Sequence, residues 1–149
     1  MSAGDGKAGT WVLLRGLMRD SRHWGAFPQA FAQAFPEAPV VRLDFPGNGS
    51  RHRERSPTRV EAMVEDARAE LRRRGLPPPY RLLAMSLGAM VASAWAHRHP
   101  QELEACVLIN TSLRPFSPPH WRLRPAVWPQ LLRLVATAPE PWAIEAERR

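Results

Sequence analysis

The sequence predicts an α/β fold, a parallel sheet of about four short strands covered by helices on both faces. Four apolar runs of strand length carry this reading: Thr10-Trp11-Val12-Leu13-Leu14, Val40-Val41-Arg42-Leu43, Tyr80-Arg81-Leu82-Leu83-Ala84-Met85 and Ala105-Cys106-Val107-Leu108-Ile109. They are near-continuous rather than alternating, as strands buried on both faces are. Segments with helical spacing separate them, which is the pattern of right-handed βαβ units.

In chain order, Gly16 lets the chain turn sharply after the first strand. From residues 23–35, Trp24, Phe27, Ala30, Phe31 and Ala34 recur at helical spacing, and Pro36 and Pro39 close the segment. The second strand runs into a glycine-rich turn, Asp44-Phe45-Pro46-Gly47-Asn48-Gly49-Ser50. Thr58 with Glu61 fits a capping box, and Val60, Met63, Val64, Ala67 and Leu71 then mark one face of a helix that stops near Gly75. A third strand, an alanine-rich helix over residues 87–97 and a fourth strand follow, with Cys106 expected to be buried in that strand. Beyond Asn110 the texture changes to a tail rich in Pro, Trp and Arg, in which Leu131, Leu132 and Leu134 predict one short helix over residues 127–135.

Three segments result: a flexible terminus at 1–9, a core at 10–110 and a lid-like segment at 111–149. The chain has 149 residues, 44% of them hydrophobic, enough for one core. No apolar run approaches the roughly 18 residues of a membrane span, and the first residues have no apolar stretch of a signal peptide, so a cytoplasmic protein is expected. The net charge of +7 is almost all arginine, Lys7 being the only lysine. These arginines are dispersed over helix faces and loops without aromatic interleaving, so nucleic acid is not an expected partner. No Cys or His spacing fits a metal site, and no cofactor is implied.

The chemistry centres on Ala84-Met85-Ser86-Leu87-Gly88, where a strand hands over to a helix. A serine on such a turn projects from the sheet's carboxyl edge, and the small residues Ala84 and Gly88 let strand and helix cross without collision. The Leu87 N–H then opens the helix and suits an oxyanion. Read by itself, the turn fits either a nucleophile or a helix-capping serine.

From residue 10 to residue 110 the chain resembles the α/β-hydrolase family. Leu13-Leu14-Arg15-Gly16-Leu17 resembles the family's first strand-loop junction, with Arg15 where histidine is usual and Leu17 at the residue whose backbone N–H completes the oxyanion hole. Asp44-Phe45-Pro46-Gly47-Asn48-Gly49-Ser50 is similar to the Asp-x-Pro-Gly-x-Gly loop, and Arg98-His99-Pro100-Gln101-Glu102-Leu103 to the end of the helix after the elbow. The resemblance implies strand order second-first-third-fourth, Ser86 as nucleophile, and hydrolysis or transfer at an ester, thioester or amide carbonyl of a small acyl substrate. Relatives that attack alkyl halides or epoxides carry aspartate at the elbow instead.

The family's acid and histidine follow the nucleophile on later strands. After Asn110 this chain has only His120 and the carboxylates Glu140, Glu145 and Glu147, so a truncated hydrolase is expected, with Ser86 placed but not activated. His23, beside Trp24, reads as a capping or loop residue. The fourth strand is expected to expose an edge through which chains self-associate. The alternative reading is a non-catalytic interaction module derived from half a hydrolase.

Overall fold

The computed structural model describes residues 9–111, 125–127, 129–130 and 132–133. The chain divides into two compact units, Met1–Thr111 and Ser112–Arg149. In the second, the described residues form a 3-10 turn at Pro125–Val127 and helical backbone at 129–130 and 132–133. The lid-like reading of 111–149, with His120, lies almost wholly outside the described residues.

The first unit contains the strands β1 (Thr10–Leu14), β2 (Val40–Leu43), β3 (Tyr80–Met85) and β4 (Leu103–Ile109), and the helices α1 (Phe27–Ala34), α2 (Val60–Arg73) and α3 (Leu87–Arg98). The strands form one parallel sheet in the order β2-β1-β3-β4, the order the resemblance implies. Strand β1 shows why helices must cover both faces. Val12 and Leu14 join one core with residues of α2 and α3, whereas Trp11 and Leu13 join another with Trp24 and Phe31. The alternation of side chains along a strand therefore sends α1 to one face and α2 with α3 to the other. Right-handed crossovers in this strand order require that partition.

Trp95 of α3 anchors the larger core: it is fully buried, its ring meets Tyr80 edge to face, and its Nε1 donates to Glu102 Oε2 at 3.0 Å. Arg68 of α2 clasps the same carboxylate through Nε at 2.8 Å and Nη2 at 2.5 Å. Glu102 is thereby held below the usual carboxylate range, chiefly by the Arg68 hydrogen bonds.

Three local expectations are corrected. Helix α2 begins at Val60 with Arg59 as N-cap and no side-chain cap, so Thr58 falls one residue too early to close a box. The helix expected over 23–35 is shorter, with a 3-10 turn at Ser21–Trp24 preceding α1. Cys106 is exposed, as is most of β4, because β4 pairs only with β3 among the described residues. No described helix is long and apolar enough to cross a membrane.

Val107 and Leu108, which face opposite sides of β4, are each 42% exposed. The isolated chain is therefore expected to self-associate through this strand, eluting above monomer mass in size-exclusion chromatography with light scattering. Val107→Lys should shift it towards monomer; a wild-type chain that stays monomeric as concentration rises contradicts the expectation.

Candidate active site

Between β1 and β3 the order of the strands reverses, so the loops leaving their carboxyl ends diverge and open a crevice, where α/β folds bind ligands. The chain brings Arg15, Gly16 and Leu17 to this point from β1, and Ser86 and Leu87 from β3.

Ser86 occupies φ 50°, ψ −113°, a conformation costly for a residue with a Cβ. Three backbone hydrogen bonds hold it there. Its N–H donates to the Ile109 carbonyl at the end of β4 at 3.0 Å, and its own carbonyl accepts from Ala89 at 3.0 Å and Met90 at 3.1 Å, starting α3. The side chain is exposed and makes no cap to the helix, so the capping role that the sequence left open is not filled. Its hydroxyl has no hydrogen-bond partner among the described residues.

Close approach explains the small residues. A Cβ on Gly88 would lie 2.6 Å from the Leu14 carbonyl oxygen and 2.7 Å from that of Arg15, so α3 starts against the end of β1. A Cβ on Gly16 would lie 3.2 Å from the Ser86 Cβ and 3.7 Å from its Oγ, so the loop after β1 runs beside the serine. Ala84 is fully buried in β3. The Leu17 and Leu87 N–H groups both lack an acceptor among the described residues, Leu87 because it is the first residue of α3.

Two buried aspartates fix the rim, and sequence reasoning missed the function of both. Asp44 accepts from the Ser21 N–H at 2.6 Å and from the Ser50 N–H at 3.0 Å and hydroxyl at 2.9 Å, tying the loop after β1 to the loop after β2. Asp20 caps the 3-10 turn through the Arg22 N–H at 2.9 Å and holds the Arg22 guanidinium at 2.5 Å. The Arg22 hydrogen bonds outweigh burial and lower the Asp20 carboxyl to about 2. His23 Nδ1 lies 3.2 Å from the Asp20 N–H and 3.2 Å from Oδ1, so this ring closes the cap, in keeping with its expected role. Asp20 just ahead of Ser21-Arg22-His23 was a legible cap signal; the 23-residue separation of Ser21 and Asp44 was not.

The other described histidines are also engaged away from the serine: His52 Nδ1 with the Gly49 carbonyl at 3.0 Å, and His99 Nε2 with Glu65 at 2.8 Å. His97 is exposed in the last turn of α3. Among the described residues, no group of three His, Cys, Asp or Glu is placed to hold a metal.

The family profile described as alpha/beta hydrolase fold matches residues 11–138. The pimeloyl-[acyl-carrier protein] methyl ester esterase of Chromobacterium violaceum is 33% identical over 92 residues, 62% of this chain and 34% of that protein. The biotin biosynthesis bifunctional protein of Teredinibacter turnerae is 29% identical over 102 residues, 68% of this chain and 17% of that protein. The chain thus spans about a third and about a sixth of these curated relatives. A solved thermophilic esterase from Thermogutta terrifontis superposes with a TM-score of 0.63 at 27% identity, over 76% of this chain and 40% of that one.

Two expectations follow. Gly88→Ala in an ordinary exposed helix would gain about 1 kcal/mol. Here the added Cβ meets two carbonyls, and a net loss of about 1–3 kcal/mol is expected in chemical denaturation. The second concerns acid. The Asp20 carboxyl drops from 3.8 to about 2 on folding, so its contribution is present above pH 3.8 and lost as pH falls towards 2. With Arg22 largely exposed, that contribution is about 1–2 kcal/mol. Asp20→Asn should lower stability at neutral pH by that amount and flatten the acid limb of a pH–stability curve.

Proposed function

Because the chain belongs to the alpha/beta hydrolase fold family, we propose that it is a serine acyl hydrolase in which Ser86 is the nucleophile and the Leu17 and Leu87 N–H groups form the oxyanion hole. The observation that carries this reading is the strained, exposed conformation of Ser86 between β3 and α3, kept although its hydroxyl makes no structural bond among the described residues. Ala84 and Gly88 are the small residues that permit the turn.

In this reaction Ser86 Oγ attacks the carbonyl carbon of an ester, thioester or amide. The carbonyl oxygen takes the negative charge and is met by the two N–H donors. A base takes the hydroxyl proton and returns it to the leaving group, and water then releases the acyl group from serine. The base is not assigned to a described histidine, since none bonds to the Ser86 hydroxyl. We place it, with its orienting carboxylate, in polypeptide beyond the described residues; the longer relatives support that placement. The protein is proposed to act in the cytoplasm on a small acyl substrate and not on nucleic acid.

The exposed β4 favours a second reading, a binding module without catalysis, in which the sheet edge takes a partner chain.

The two readings separate by reactivity at Ser86. The chain alone is expected to hydrolyse short p-nitrophenyl esters no faster than Ser86→Ala and to label weakly with a fluorophosphonate. With a polypeptide supplying further strands and a histidine, labelling should rise and vanish again in Ser86→Ala. Efficient hydrolysis by the chain alone, lost in Ser86→Ala and also in His120→Ala or His23→Ala, would assign the base to that histidine; no labelling under any condition favours the binding module.

A further inference from the structure

Arg15 departs from the way this protein treats its other partly buried arginines. Arg51 is paired with Glu54 and Asp66, Arg68 with Glu65 and Glu102, and Arg81 with Glu104. Arg15 has no carboxylate among the described residues. Its Nη1 donates to the thioether sulfur of Met85 at 2.9 Å, and its Cζ stands 4.8 Å from the centroid of the Trp24 ring. Its Nε is buried without a hydrogen-bond partner, and Nη2 has none either. Trp24, only 8% exposed, likewise has a buried Nε1–H with no acceptor. Unpaired donors are thus stacked against each other at one place in the fold.

Buried donors and charges without partners are costly, and their persistence calls for a partner that arrives from outside. With Cζ over the indole, Nη1 on Met85 and Nε buried, the guanidinium keeps Nη2 to offer, and its N–H groups suit a carboxylate oxygen. The location connects this group to the reaction. Arg15 immediately precedes Gly16, whose backbone lies against Ser86, and its anchor Met85 immediately precedes Ser86. In sequence, Arg15 and Met85 are thus the immediate neighbours of the two residues, Gly16 and Ser86, that meet at the end of β1 and β3.

We propose that Arg15, stacked on Trp24 and anchored to Met85, is a carboxylate-binding subsite beside Ser86, so that the substrate is an acyl ester that itself carries a free carboxylate. This rests on the reading of Ser86 as nucleophile for its meaning, but not for its measurement. One guanidinium supplies a single positive charge and suits a monoanion. Among the described residues a thioether is its one hydrogen-bonding partner, and that leaves the charge to be neutralised by the ligand.

The test uses the full chain with Ser86→Ala, which cannot form an acyl-enzyme, and two probes, the half-ester monomethyl glutarate and the neutral diester dimethyl glutarate. Binding is followed by tryptophan fluorescence and by the arginine Nε–Hε signals in ¹⁵N spectra. The half-ester is expected to bind at least about ten-fold more tightly than the diester, the usual worth of a charge-assisted hydrogen bond. It should shift one arginine Nε–Hε signal that the diester leaves in place, and Arg15→Gln should abolish both the preference and the shift. Equal binding of the two probes, no detectable binding of the half-ester, or a preference that survives Arg15→Gln overturns the proposal. If circular dichroism shows that Arg15→Gln does not fold, Arg15→Lys replaces it: a preference reduced several-fold supports the subsite, and an unchanged one refutes it. Because no turnover is involved, failure here leaves the hydrolase reading standing, and absence of hydrolysis in the wild-type chain leaves the subsite standing.

Discussion

The start of α3 lies against the end of β1 with no room for a side chain between them. Gly88 faces the Leu14 and Arg15 carbonyls at a separation that no Cβ tolerates. Much else follows from that contact. It sets how far β3 extends before the chain turns, and so where Ser86 emerges. It brings the loop after β1 alongside the serine, where a side chain in place of Gly16 would crowd the Ser86 Cβ. It also leaves the first amide of α3 without an acceptor at the carboxyl edge of the sheet, where the sign of the helix dipole favours negative charge. A fold built from two cores, one on each face, converges at its edge on one tightly packed crossing.

The polar interactions around this crossing divide into two kinds. Asp20 and Asp44 are buried and saturated, one by a turn and an arginine, the other by two serines from separate loops. They hold the rim by satisfying backbone N–H groups that would otherwise be orphaned near the crevice. Arg15 Nε and Trp24 Nε1 are buried and unsaturated. Saturated groups give a rim a shape; unsaturated ones give it a preference for what enters. That both kinds occur within ten residues of β1 explains why this loop, and not the longer one after β2, is the better place to look for selectivity.

Much of this was legible from residue types alone. The strands declare themselves by unbroken apolar runs, and the elbow by small residues on either side of Ser86. Local rules failed where the answer lay elsewhere in the chain. Cys106 sits in a run that reads as buried, but burial of an edge strand depends on a neighbour that its own residues do not encode. Thr58 and Glu61 match a box by spacing, yet packing of Val64, Ala67 and Leu71 sets the phase of α2, and the phase places Arg59 at the cap. The Asp44 clamp joins residues far apart in sequence, and the stacking of Arg15 on Trp24 depends on a turn whose shape is set by Asp20. Such pairings are consequences of tertiary structure, and no period or motif announces them.

The hydrogen bond from the Ser86 N–H to the Ile109 carbonyl means that the elbow is made on one strand and secured on the next. Residues 84–88 are therefore not a portable cassette. Grafted onto another parallel sheet, they would bring the small side chains but not the carbonyl that holds the serine's backbone in its strained state, and the turn would relax. A designer wishing to transplant this turn must carry two adjacent strands and the glycine-backed end of a third.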